Sequence, residues 1–156
     1  MLNELKKFDV FKNSSDKLLD EVSKNLRIQD ENAGVTIINH GDETNSLYLI
    51  IEGTLLITQL AEDGKIVSLE LLKKGQCFGE IAIIDGAPRS ASVVSLGNVK
   101  LGILSENFVK GTLMNDLDFN NSLLLRFAGI VRSANIQIFS LITANARKRL
   151  LLQLVR

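Results

Sequence analysis

An acidic and a basic residue lie on either side of a short apolar turn near the middle of the chain. Glu80 begins the segment EIAIID, and Arg89 follows it after Pro88, the sole proline of the sequence. A guanidinium offers a planar fork of N–H donors that binds a phosphate bidentately. An ionised carboxylate only accepts hydrogen bonds, so Glu80 suits a sugar hydroxyl next to that phosphate. The pair therefore predicts a site for a sugar phosphate.

Glycine and proline residues predict how this pair is positioned. Gly79 permits close approach of the backbone to a ligand, and a short helix is expected over residues 80–85. The first N–H groups of a helix lack helical partners and suit an anion. Gly86 can end the helix and Pro88 cannot continue it. The chain should therefore turn back and bring Arg89 beside the start of the helix.

The stretch FGEIAIIDGAPRSASV resembles the phosphate-binding cassette of cyclic-nucleotide-binding domains. The resemblance implies that Arg89 binds the cyclic phosphate and Glu80 the ribose 2′-hydroxyl, with nearby backbone amides completing the cradle. An internal Glu80–Arg89 ion pair without a ligand is the alternative. The ligand-binding residues implied within the cassette are Phe78, Gly79, Glu80, Ile81, Ala82, Pro88, Arg89, Ser90 and Ala91.

Short β-rich segments separated by glycine-bearing turns surround the cassette, a pattern typical of a β-sandwich or barrel. Gly41-Asp42, Leu47-Tyr48 and Gly53 also resemble the β-roll of the same family, so the resemblance covers roughly residues 8 to 110. It implies an α+β fold: an antiparallel, jelly-roll-like β-roll (a double-stranded β-helix) with short N-terminal helices and a long C-terminal dimerisation helix. The strands are expected at 35–39, 46–51, 54–59, 65–72, 91–95 and 99–104.

The last part of the sequence has the apolar spacing of a helix that pairs with a second copy. The spacing predicts a helix from about Asn121 to Arg156 and a homodimer; a helix packed on its own β-roll is the alternative. We divide the chain into a ligand-binding part, 1–116, and a dimerisation and linker part, 117–156. In catabolite-activator-like regulators this helix touches the base, which implies roles for Ser133 and Asn135. The seam consists of Phe127, Val131, Ala134, Ile138, Leu141 and Asn145.

Charge is distributed unevenly along a chain whose formal net charge is zero. Residues 1–118 carry twelve basic and eighteen acidic residues, a net charge of minus six, whereas 119–156 carry six basic residues and none that are acidic. The basic end suggests an approach to something anionic, or else a solvated helix face. LITANARKRLLLQLV is similar to the connection into a helix-turn-helix domain in the bacterial regulators. Either such a domain follows in a longer form or this is a stand-alone ligand-binding protein, and we expect no specific DNA binding by this chain alone.

Several other classes of protein fit the sequence poorly. One cysteine precludes an internal disulfide and fits a reducing compartment. Neither a signal peptide nor a membrane-spanning run is evident, so we expect a cytoplasmic protein that does not enter the membrane. His40 stands alone, which argues against a transition-metal site. Because no P-loop, dinucleotide fingerprint or nucleophile elbow occurs, we expect no enzyme.

The function expected from the resemblance is a cytoplasmic cyclic-nucleotide sensor. We expect cAMP as the ligand, with cGMP as an alternative, and a shift of conformational populations that moves the helices after Ser105. The main rival is the sensory half of a transcription regulator that has another ligand or none. An enzyme hydrolysing the cyclic phosphodiester and a regulatory domain acting on another protein are further alternatives.

Overall fold

Helical segments open the chain. The structure, a computed structural model, describes the backbone of residues 2–154 and the side chains of residues 2–143. Helix α1 covers Leu2–Leu5, a 3-10 turn covers Asp9–Phe11, and α2 covers Asp16–Asn25. The hydroxyl of Ser15 accepts a hydrogen bond from the amide of Leu18 (3.3 Å), which satisfies one of the unpaired donors at the start of α2.

Two four-stranded antiparallel sheets form the body of the protein. Their strand orders are β1-β8-β3-β6 and β2-β7-β4-β5, so strands distant in sequence are neighbours in each sheet. This arrangement is the predicted antiparallel β-roll. The strands are β1 Arg27–Glu31, β2 Thr36–Ile38, β3 Leu47–Glu52, β4 Thr54–Leu60, β5 Ile66–Lys73, β6 Cys77–Phe78, β7 Ser92–Ser95 and β8 Val99–Leu104.

The hydrophobic core draws on both sheets. In the second sheet, Leu55 of β4 lies opposite Leu72 of β5 and Ser95 of β7, and all three are buried. Burying large aliphatic side chains stabilises the fold by about 1.5–3 kcal/mol each. Ser95 lies two residues after the end of the cassette in β7, so this ladder anchors that end. The core cluster comprises Ile38, Ile50, Leu55, Leu72, Phe78, Val93, Val99 and Leu101.

Two strands, β1 and β6, were not expected from the sequence. The sequence of β1, RIQDE, has little apolar alternation because the strand lies at a sheet edge and is mostly exposed. Strand β6 has two residues, Cys77 and Phe78, both buried, and it pairs with Tyr48 and Leu49 of β3. A strand this short leaves no periodic signal. Its pairing nevertheless fixes the chain directly before Gly79.

Three helices occupy the rest of the chain. Helix α3 covers Glu80–Asp85, α4 covers Glu106–Gly111, and α5 covers Leu117–Leu154 after a 3-10 turn at Leu113–Asn115. The long C-terminal helix is confirmed. It begins earlier than predicted because the carboxylate of Asp116 accepts a hydrogen bond from the amide of Phe119 (2.8 Å) and so caps it.

By its contacts the chain divides into two compact units, one reaching to Ser122 and the other beginning at Leu123. The functional boundary predicted at residue 116 stays a prediction. In the second unit, the predicted seam residues Val131, Ile138 and Leu141 are exposed. The side chain of Asn145, the last seam residue, lies outside the described residues. None of the described helices has the length and apolarity that crossing a membrane requires.

Candidate functional site

Helix α3 is bounded by two glycines in the left-handed conformation. Gly79 precedes the helix with φ +86°, and Gly86 follows it with φ +70°. The amide of Gly86 donates to the carbonyl of Ala82 (3.1 Å), which closes the helix. The helix bounds of 80–85 predicted from these glycines are confirmed. A six-residue helix with fixed ends holds Glu80 in its first turn.

The main chain of Arg89 is held by the loop that joins β2 to β3. Its amide donates to the carbonyl of Asp42 (2.9 Å), and the amide of Gly41 donates to the carbonyl of Arg89 (2.9 Å). The carboxylate of Asp42 accepts in turn from the amide of Asn39 (2.9 Å). The glycine and aspartate that matched the family pattern therefore position the arginine.

The guanidinium of Arg89 is buried, with 3% of the residue exposed. Its Nη1 donates to the carbonyl oxygen of Gly79 (2.6 Å), and its Nη2 donates to that of Ser46 (2.8 Å). The Nε–H is buried, and no group in the described part of the chain accepts a hydrogen bond from it. A buried donor without a partner costs about 1–3 kcal/mol. One edge of the guanidinium is therefore ready to bind an acceptor.

Aromatic rings lie beneath this cation. The Arg89 Cζ is 5.9 Å from the centroid of the Tyr48 ring, at the outer limit of a cation–π contact. Tyr48 stacks on Phe78 with centroids 4.8 Å apart and an interplanar angle of 10°. Phe78 is 2% exposed and belongs to the core. The stack thus connects the guanidinium to the interior of the β-roll.

Burial lowers the pKa of the Arg89 guanidinium, while the neighbouring Tyr48, Glu80 and Asp42 act in the opposite direction. Arginine stays protonated in proteins despite such a shift. Glu80 is itself buried, with 5% exposed. The site thus holds a buried cation and a buried acidic residue whose charge acts on that cation.

The charge of Arg89 also acts on Glu106, at the start of α4. The hydrogen bond from Lys110 (2.6 Å) is the main cause that lowers the pKa of the Glu106 carboxyl, and the charge of Arg89 adds to it. The side-chain amide of Asn45 donates to the same carboxylate (3.4 Å). Neither residue was singled out from the sequence, which has no local signal joining segments so far apart.

The other predicted site residues differ in their surroundings. Ala82 is buried within α3, whereas Ile81, Pro88 and Ser90 are exposed and Ala91 is partly buried. Among the described residues, no group of histidine, cysteine or acidic side chains could hold a metal ion.

The predicted base-contacting residues belong to the second unit. Ser133 and Asn135 are exposed on α5, and their roles stay predictions. The basic cluster Arg147, Lys148 and Arg149 lies outside the described side chains.

Comparison with known proteins agrees with this geometry. The family model described as cyclic nucleotide-binding domain matches residues 31–116, more than half of the chain. A "CRP-like cAMP-activated global transcriptional regulator" of Mycobacterium tuberculosis is 24% identical over 147 residues, which cover 94% of this chain and 66% of the regulator. The stretch that matches the family includes the cassette and both strands that hold its ends.

Two solved structures share the fold. The catabolite activator protein of Thermus thermophilus has a TM-score of 0.76 at 23% identity, covering 85% of this chain and 62% of that protein. The regulatory domain of Toxoplasma gondii PKA, crystallised with cAMP, has a TM-score of 0.66 at 25% identity, covering 70% of this chain and 42% of that one. This chain thus spans about two thirds or less of each of these proteins. With the cassette, the β-roll and the family match in agreement, the chain belongs to the cyclic nucleotide-binding domain family.

Proposed function

We propose that the chain is a cytoplasmic sensor that binds cAMP in the cassette and transmits the bound state through its C-terminal helices. The observation that carries the proposal is the buried guanidinium of Arg89, whose Nε–H has no hydrogen-bond partner among the described residues. A cyclic phosphate supplies an anionic acceptor for that donor. The fork formed by Nε and one terminal nitrogen can hold two phosphate oxygens at once.

Glu80 supplies the second contact. In the first turn of α3 its carboxylate can accept from the ribose 2′-hydroxyl, and backbone amides of the same turn can donate to the phosphate. Opposite roles for neighbouring groups explain why a cation and a carboxylate are both buried here. Glu80 would repel a phosphate alone. Arg89 and Glu80 together therefore select a ligand in which a phosphate and a hydroxyl are adjacent.

Two of the similar proteins support cAMP as the ligand that we propose. The mycobacterial regulator is described as cAMP-activated, and the Toxoplasma domain was crystallised with cAMP. The hydroxyl of exposed Ser90 can bond to the phosphate or, in a site that prefers guanine, reach the base; roles for Ser133 and Asn135 at the base stay predictions. A serine hydroxyl both donates and accepts, so cGMP is the ligand to test against cAMP.

Transmission begins beside the phosphate. Arg89 donates to Ser46, the neighbouring Asn45 donates to Glu106, and Glu106 starts α4. A phosphate that competes for the donors of Arg89 alters the hydrogen bond from Arg89 to Ser46. It also alters the electrostatic effect of Arg89 on Glu106. In our proposal the conformation favoured by ligand differs at α4 and in the helices that follow.

The C-terminal helix is the proposed dimer contact. Many apolar side chains of α5 are exposed within the described part of the second unit, which is unusual for a monomer that stays in water. Pairing with a second copy would bury them. The exposed large apolar residues of this helix include Leu117, Leu124, Leu125, Val131, Ile136, Ile138, Phe139, Leu141 and Ile142.

Calorimetric titration of the purified chain with cAMP, cGMP and 5′-AMP tests the proposal. We expect cAMP to bind with one site per chain and 5′-AMP, which lacks the cyclic diester, to bind much more weakly. Chromatography of the same mixture should recover cAMP unchanged, whereas a hydrolase would produce 5′-AMP or 3′-AMP. Absence of binding by either cyclic nucleotide would favour the rival, a regulator half that responds to another ligand or none.

A further inference from the structure

A cavity of about 290 Å³ lies between the N-terminal helical segment and the first sheet, and it shares no lining residue with the cassette. Its walls are apolar. Leu5 and Phe8 come from the N-terminal segment and are largely buried. The other apolar lining residues are Leu26, which follows α2, Ile28 of β1 and Ile51 of β3. Small-molecule sites are typically concave and mostly apolar, with a few polar groups that orient the ligand.

The backbone fixes the shape of this cavity. The amide of Asp9 donates to the carbonyl of Gly75 (3.1 Å), which fastens the N-terminal segment to the turn before β6. A Cβ at residue 75 would lie 3.2 Å from the carbonyl oxygen of Lys7, so the two segments touch directly. On the opposite wall, Leu26 packs closely on Gly102. A Cβ added to residue 102 would lie 2.8 Å from the Cδ1 of Leu26. The walls are therefore held by the fold.

The polar lining residues are charged, and their balance is positive. Lys7 forms an ion pair with Glu4 (2.6 Å). The hydrogen bond from Lys7 is the main cause that lowers the pKa of the Glu4 carboxyl, with a smaller contribution from Lys74. Lys74 is exposed and forms no ion pair with any described side chain. The lining thus carries one cation that is not neutralised.

We propose that this cavity binds an aliphatic carboxylate of medium chain length, with the alkyl chain on Leu5, Phe8 and Ile51 and the carboxylate on Lys74. The apolar walls favour a hydrocarbon chain, and the unpaired ammonium favours an anionic head at its end. A methylene occupies about as much space as a water molecule, whose share of liquid volume is about 30 Å³, so the cavity accommodates roughly six to ten carbons. This site is separate from the cassette and goes beyond the function proposed for it.

A chain-length series tests the hydrocarbon part. The full chain is titrated with hexanoate, octanoate, decanoate and dodecanoate below their micellar concentrations, with decylamine as the cationic counterpart. We expect affinity to rise about three- to fourfold per methylene, the ratio equivalent to about 0.8 kcal/mol, and to level off beyond roughly ten carbons. Decylamine should bind at least tenfold more weakly than decanoate. Equal affinity across the series, or for the amine, would overturn the assignment.

Two matched variants test the head group. Lys74→Glu reverses the charge at the cavity, and Lys73→Glu makes the same change at an exposed neighbour that does not line it. Lys74→Glu should weaken decanoate binding at least tenfold, while Lys73→Glu should change it less than threefold. Unchanged melting temperatures show that both variants fold. If the two variants lose affinity equally, the effect is one of general charge and the proposal is wrong.

A third variant separates this site from the cassette. Arg89→Leu should bind decanoate as the wild type does, because Arg89 does not line the cavity. Loss of decanoate binding in Arg89→Leu would place the carboxylate in the cassette and overturn the proposal. Failure of the wild type to bind cAMP, with decanoate binding retained, would contradict the cassette function and leave the cavity assignment supported.

Discussion

Arg89 and Gly79 are in contact in a way that permits no side chain at residue 79. The Nη1 of Arg89 donates to the carbonyl oxygen of Gly79 (2.6 Å), and a Cβ on residue 79 would lie 2.6 Å from the same nitrogen and 2.8 Å from the carbonyl oxygen of Ser46. Gly79 also has φ +86°, a conformation that L side chains rarely adopt. The glycine therefore serves the turn and the position of the guanidinium together.

The first prediction follows from this contact. Gly79→Ala should lower stability by about 1–3 kcal/mol through backbone strain and should also weaken cAMP binding at least tenfold, because Arg89 must move. Gly86→Ala is the matched control, since Gly86 has φ +70° and an added Cβ would meet nothing within 4 Å. We expect the control to lose stability and retain affinity. Thermal melts and calorimetry give both quantities; equal affinity losses would show that strain alone is responsible.

The second prediction concerns the charge of Arg89. Arg89→Leu removes the charge-assisted contact to the phosphate and should cost about 3–5 kcal/mol of binding free energy, more than a hundredfold in affinity. Arg89→Lys should recover only part of this, because an ammonium lacks the fork. Calorimetric titration with cAMP measures each value. A leucine variant that binds as tightly as the wild type would contradict the phosphate assignment and the proposed function with it.

The third prediction concerns the contact of Glu80 with the ribose hydroxyl, as distinct from that of Arg89 with the phosphate. Glu80→Ala removes the acceptor for the ribose hydroxyl and should cost about 1.5–3 kcal/mol of binding free energy. It should also abolish discrimination against 2′-deoxy-cAMP, because the carboxylate is the proposed partner of that hydroxyl. Thermal shifts of wild type and variant with the two ligands provide the measurement.

The opposite pattern would support the alternative in which Glu80 and Arg89 only pair with each other. In that case Glu80→Ala and Arg89→Leu would each lower the melting temperature, and neither ligand would raise it in any of the proteins. The two interpretations therefore differ in the wild type as well as in the variants.

The fourth prediction concerns the exposed apolar surface of α5. Replacing Ile138 and Leu141 with Asp places two charges in the proposed seam and should convert a dimer to a monomer in sedimentation velocity. Ser140→Asp with Gln137→Asp adds the same charge outside the seam positions and should leave the dimer intact. A wild-type chain that sediments as a monomer at tens of micromolar, well above the Kd of about 1 μM that a dimer of about 8 kcal/mol has, would contradict the prediction.

Local chemistry explains why the centre of the site was predictable. Gly79, Gly86 and Pro88 specify where α3 begins and ends, and the types of Glu80 and Arg89 specify what each can bind. These signals lie within a few residues of one another. The helix bounds and the proximity of Glu80 to Arg89 could therefore be predicted from the sequence.

Long-range contacts explain what was missed. Arg89 donates to the backbone carbonyl of Ser46. Because every residue type has this oxygen, the identity of residue 46 does not indicate the contact. The link from Asn45 to Glu106 likewise joins segments that only the fold brings together. Strand β1 lacks an apolar pattern since it lies at a sheet edge. Tertiary pairing, which leaves no local trace, is the common cause.

The stack of Tyr48 on Phe78 has a practical consequence. The chain has one tyrosine and no tryptophan, and the ring of that tyrosine lies 5.9 Å from the Cζ of Arg89. The tyrosine band of its ultraviolet absorption and emission therefore comes from a single position beside the guanidinium. The protein carries an intrinsic optical reporter at the site, so ligand occupancy and the kinetics of Arg89 rearrangement can be followed in stopped flow without any attached label.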